Sequence, residues 1–209
     1  KLSSTNLNKK EIYKYIWPVL FASTALILMT NLDVILVKHF FSSSMTGYYV
    51  AASTIGKIIF FATSFLVIVM FPKISSEHAK KADTFKILRP ALIYTSIFAG
   101  AGVFLYYLIP NFIINTMYGP SYKLAVPLLG LLGIAYALFS LSNVLVLYNL
   151  AIERYNVVYF ILVGVLVLVS GIFSFHNNLI DVLKVLVVSN LLVFLLCLNF
   201  FLALPHPLR

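Results

Sequence analysis

A chain of 209 residues that is 62% hydrophobic and only 10% charged, with a mean hydropathy of +1.02, lies far from the roughly 25% charged composition of soluble domains. This composition excludes a soluble globular protein and indicates a polytopic membrane protein. The net charge of +9 does not call for nucleic acid, because the basic residues gather at the ends of apolar runs, where membrane anchoring accounts for them.

The opening stretch, KLSSTNLNKK, has no initiator Met and no signal-peptide pattern, so the chain is expected to be a piece of a longer protein. Six apolar runs follow, and each reads as a helix by its length: residues 12–37, 47–70, 87–109, 124–148, 157–173 and 180–204. The expected fold is all-α, one bundle of six transmembrane helices over residues 1–209. In the first run Trp17 is an interface anchor, Pro18 is tolerable in the first turns, and Thr24, Asn31 and Lys38 share a face. Asp33 points elsewhere on that helix. A short link, residues 39–46, turns the chain into the second run, so these two helices form a hairpin.

The second run places Lys57 near its middle. An ammonium at that depth costs roughly 2.5 to 3.5 kcal/mol on insertion scales, so it should face protein or water. At about 100° per residue, Tyr49, Ser53, Gly56, Lys57, Phe60 and Ser64 share one face, while Ile55, Ile58, Ala62, Leu66 and Val69 fall on the other. This pattern predicts a helix with one side on a wet interior and the other on lipid. Two readings of Lys57 stay open, a place in a substrate or ion pathway and a structural ion pair. Asp33, within one or two turns in depth, is the candidate partner or coupling acid.

The polar segment KISSEHAKKADTFKILR is read as a loop with room for a short helix on the membrane surface. In the third helix Gly100 and Gly102 suit close packing. A turn at Tyr118 to Ser121 leads to the fourth helix, where Gly133, Tyr136, Ser140 and Asn143 form a polar stripe, read either as interhelical hydrogen bonding or as cavity lining. The fifth and sixth helices are more uniformly apolar and are assigned to packing.

With the first residues cytoplasmic, Lys1, Lys9, Lys10, Lys14, Lys73, Lys80, Lys81, Lys86, Arg89, Arg154 and Arg209 lie on that side, against Lys38, Lys123 and Lys184 on the other. That bias places both ends in the cytoplasm and the chain in the cytoplasmic membrane. Neither the four histidines nor the six acids cluster, and no phosphate-cradling Gly-rich loop is present. No catalytic residues, metal site or cofactor are therefore expected, and the protein is not expected to be an enzyme. The single Cys197 excludes an intrachain disulfide.

The first hairpin carries Asp33 and Lys38, then Gly47, Tyr49 and Ala52 in a G-x-Y-x-x-A start, and Phe71, Pro72 and Ser75 in an F-P-x-x-S close. It resembles the seventh and eighth helices of polysaccharide flippases in the multidrug/oligosaccharidyl-lipid/polysaccharide exporter superfamily. The stretch MYGPSYKLAVPLL is similar to the family's entry into its tenth helix. LAIERYN is similar to the turn that follows, with Glu153 in place of the usual Gly. The resemblance runs from the first helix to the last and implies two six-helix lobes around a central cavity, of which this chain is the C-terminal one and the N-terminal lobe a partner. It implies a polyprenyl-pyrophosphate-linked oligosaccharide as substrate, carried from the inner leaflet to the outer. Lys57 would meet the diphosphate, and Tyr49, Ser53, Ser64, Tyr136, Ser140 and Asn143 would line the path, with the polyprenyl tail among membrane lipids. A multidrug extruder of the same superfamily, a membrane-bound transferase and a non-transporting scaffold of glycan assembly are the alternatives.

Overall fold

The computed structural model describes residues 9–203, with side chains described from Ile16 onward. The predicted end of the last helix at Leu204, the charges on Lys1, Lys9, Lys10, Lys14 and Arg209, and His206 lie outside those bounds. Seven α-helices occur among the described residues: α1 (Lys9–Phe40), α2 (Ser43–Ala79), α3 (Phe85–Leu108), α4 (Pro110–Tyr118), α5 (Val126–Ala151), α6 (Val157–Ser174) and α7 (Leu179–Leu202), with a 3-10 turn at Pro120–Ala125 before α5. Six of them, all but α4, are long and apolar enough to cross a membrane. The protein is a six-helix membrane bundle.

α5 is the hub. In its most apolar window 56% of the residues are buried, against 22 to 39% for the other five spans, because α2, α3 and α7 all pack along it. α6 lies against α7 and α1, so α1 is tied to the bundle through α6 more than through α2. Lipid tails are as apolar as Leu, so burial alone does not drive such helices together, and close approach at small residues does. Gly56 lets α2 sit against Leu132 and Tyr136 of α5, and Gly164 of α6 leaves room for Val193 and Met29. Gly102 packs against Ile59 as its spacing suggests, whereas Gly100 faces open space.

Two segments read as loops are helical instead. α2 runs through Pro72 to Ala79, nine residues past its predicted end. Pro72 removes only one backbone donor, and the extension is held by tertiary packing, since Ile74 is fully buried with Leu88 and Ile152. At about 1.5 Å per residue, its 37 residues make a rod longer than the roughly 30 Å hydrocarbon core. Between α3 and α5, the segment read as a turn forms α4 and the 3-10 turn. Ile55, expected on the lipid side of α2, is 1% exposed, because its carbonyl receives the Tyr106 hydroxyl of α3 at 2.6 Å. Ile58, Ala62 and Val69 do face outward.

The helix ends near the basic loops share one design. At the end of α2 the amides of Lys81 and Ala82 bond back to His78 and Glu77, and at the end of α5 those of Glu153 and Arg154 bond back to Leu150 and Asn149. This is the Schellman arrangement, which needs a left-handed residue just past the cap. Lys81 (φ 58°) and Glu153 (φ 60°) occupy that position, which explains why glycine is the expected residue where Glu153 stands.

Candidate functional site

Asn31 and Asp33 stand two residues apart on α1, about 200° around the helix, and face opposite surroundings. Asp33 is fully buried. Its Oδ2 accepts a hydrogen bond from the Tyr49 hydroxyl at 2.8 Å, and its Oδ1 has no partner. One turn along α2 from Tyr49, the Ser53 hydroxyl shares a 3.0 Å hydrogen bond with Tyr136 of α5. Tyr49, Ser53 and Tyr136 are each 1% exposed or less, so these residues form a closed polar knot joining α1, α2 and α5. A buried hydroxyl without a partner costs free energy in hydrocarbon, which is why the knot is paired almost throughout.

Asn31 is exposed. Its Nδ2 donates to the Ile27 carbonyl and the Thr30 hydroxyl, both at 2.9 Å, which aims its Oδ1 outward. There it accepts a 3.2 Å hydrogen bond from the half-buried Lys57 Nζ. Lys57 lies within electrostatic reach of Asp33 but forms no direct ion pair with it. The ion pairs among the described residues are Lys80–Glu77 and Lys184–Asp181, each between residues of one helix end. An ammonium has three donors, and one of them is spent on Asn31.

Along α2, Ser64 follows Lys57 by seven residues and lies on the same side, half-buried, with its hydroxyl bonded to the Phe60 carbonyl at 2.7 Å. It lines a cavity of about 370 Å³ between α1, α2 and α5, together with Ser23, Phe71 and Asn143. The α5 stripe therefore divides. Gly133 lies against Tyr106, Tyr136 belongs to the knot, and Ser140 bonds its own helix at Tyr136 O, 2.7 Å away. Of these four residues, Asn143 is the one that lines the cavity.

The residues singled out from the sequence thus fall into two sets. Lys57 and Ser64 lie on an open track along α1 and α2, and the buried Asn143 of α5 forms part of the cavity wall beside it, whereas Tyr49, Ser53, Tyr136 and Ser140 are interior. The knot and the track meet within one turn of α2, so the shared face expected for Tyr49, Ser53, Lys57 and Ser64 straddles the edge of the bundle. Asn31 and Ser23 join the track without having been chosen. The signal for Asn31 was its place on one face with Thr24 and Lys38, all three of which are exposed. The family whose model matches the chain, over residues 3–127, is described as polysaccharide biosynthesis protein. No curated protein and no solved structure matches the chain.

Proposed function

The chain belongs to the polysaccharide biosynthesis protein family, and from that premise we propose that it is the C-terminal lobe of a flippase for polyprenyl-pyrophosphate-linked oligosaccharides in the cytoplasmic membrane. Family membership assigns it a role in polysaccharide synthesis or transport. The observation that carries the finer reading is Lys57, a mid-span ammonium held at the surface of the bundle by a neutral amide, with no acid paired to it. Such a charge is costly in lipid. It is retained where something anionic visits it, and a diphosphate moving between leaflets is an anion of that kind. The flanking Asn31, Ser64 and Asn143 offer hydrogen-bonding groups for sugars, and the open side of the track is where an N-terminal lobe would close a cavity around them. The polyprenyl tail stays in lipid, and no step forms or breaks a covalent bond.

The drug-extruder reading would put an acid against a cationic cargo. Asp33, the acid at that depth, is shut behind Tyr49, which favours the anionic cargo. Flipping of a fluorescent lipid-linked oligosaccharide by the whole protein in proteoliposomes tests the proposal: Lys57→Arg keeps a positive charge and flips, and Lys57→Gln inserts and folds but does not. Full activity in Lys57→Gln would remove it from the substrate path. Both ends of the chain are proposed to be cytoplasmic. In a Cys197→Ala background, Ser43→Cys should then label from outside and Ser76→Cys only after permeabilisation; the reverse pattern would invert the topology.

A further inference from the structure

The α1–α2 face carries a second concave site beyond Lys57. Lys38 follows Asn31 by seven residues on α1, and Val50 precedes Lys57 by seven on α2, so each lies about 10 Å further along the same side of its helix. At that level the end of α1, the start of α2 and the α4 bend surround a cavity of about 430 Å³, within the size range of small-molecule sites. Its lining includes Lys38, Ser43, Thr46, Gly47, Tyr118 and Tyr122.

The chemistry of this lining is specific. Lys38 is exposed and forms no ion pair among the described residues. Ser43, exposed at the start of α2, adds a hydroxyl to the lining. Tyr122 is braced by two other tyrosines, with ring centroids 5.3 Å from Tyr118 and 5.7 Å from Tyr48. A Cβ added to Gly47 would meet nothing within 4 Å, so the backbone of α2 opens directly onto the cavity. An unpaired ammonium selects an anion. Tyrosine rings offer flat apolar faces to the C–H side of a sugar, and the hydroxyls serve its OH groups.

We propose that this cavity binds a sugar phosphate, the headgroup end of the lipid-linked glycan, as a second station two turns from Lys57. The place of this station in transport rests on the flippase reading; the binding chemistry does not. An anionic headgroup leaving Lys57 along α1 and α2 meets Lys38 as the next cation on that side, and there it finds rings and hydroxyls for the attached sugar.

Saturation-transfer NMR with the whole protein in detergent tests this, with glucose 1-phosphate as the probe and glycerol 1-phosphate as the comparator. Glucose 1-phosphate is expected to bind saturably and more tightly than glycerol 1-phosphate. Lys38→Gln, an exposed substitution, should weaken it at least about tenfold. Gly47→Leu, which fills the cavity while replacing a poor helix former, should abolish the Lys38-dependent binding with thermal stability kept. Lys57→Gln should leave the Lys38-dependent part of the binding in place. Absence of saturable binding, or undiminished binding in both Lys38→Gln and Gly47→Leu, would overturn the inference. Equal binding of glycerol 1-phosphate would assign the cavity to a phospholipid headgroup and overturn the sugar. Loss of binding in Lys57→Gln alone would defeat this site and leave the flippase reading standing. Binding that tracks Lys38 in a protein that flips no glycan lipid would do the opposite.

Discussion

Asn31 with Lys57 and Asp33 with Tyr49 are built from the same pair of helices, within about two turns of each other, and they do opposite things. The Asp33 set is closed, bonded across α1, α2 and α5, and out of reach. The Asn31 set is open, and its cation has donors to spare. Polarity inside a membrane segment therefore does not by itself mark a site. What separates glue from site is whether the bundle encloses the polar group: Asp33 Oδ1 is unpaired but shut in, whereas the spare donors of Lys57 stand where a visiting anion can reach them.

The sharpest break of that contrast comes from charge removal. Lys57→Gln should lower flipping by at least about tenfold, equivalent to about 1.4 kcal/mol, with thermal unfolding in detergent unchanged. Adding Asp33→Asn should restore nothing. Recovery in the double variant would mean the two residues act as one pair and would erase the boundary between open and closed sets.

On the closed side the readout should be stability. Asp33→Ala leaves the buried Tyr49 hydroxyl without an acceptor and should destabilise by about 1–3 kcal/mol, whereas Asp33→Asn keeps an acceptor oxygen and should lose less. If Asp33→Asn instead abolished flipping at full stability, Asp33 would belong with Lys57. Tyr136→Phe breaks one interhelical hydrogen bond of the knot. Its expected cost is smaller, about 0.6 to 1.7 kcal/mol, with the flipping rate per folded molecule retained.

The smallest expected effect serves as the control for both. Glu153→Gly relieves a left-handed residue at the end of α5, the helix that brings Tyr136 to the knot. A net gain of about 0.5 kcal/mol should follow once the added freedom of the unfolded chain is counted. Flipping by the folded protein should not change. A change in flipping there would show that stability alone moves the assay, and the Lys57 result would have to be judged against it.

Membrane class, six spanning helices and the exceptional position of Lys57 were legible in the residues alone. Lipid acts on each segment separately, so hydropathy summed over one run decides whether that run inserts, whatever its neighbours are. The reach of α2 past Pro72 was not legible, because it depends on Ile74 finding Leu88 and Ile152, residues remote in the chain. Nor was the division of the polar face of α2. Tyr49, Ser53, Gly56, Lys57, Phe60 and Ser64 span about 100° of arc, and periodicity treats that arc as one surface. Where α5 packs decides which part becomes interior. It covers Ser53 and Gly56 through Tyr136 and Leu132, and Lys57 is left at the edge beside Asn31. A helix on its own has a polar side, but only its neighbours determine which of those groups are already paired, and so which remain available to a ligand.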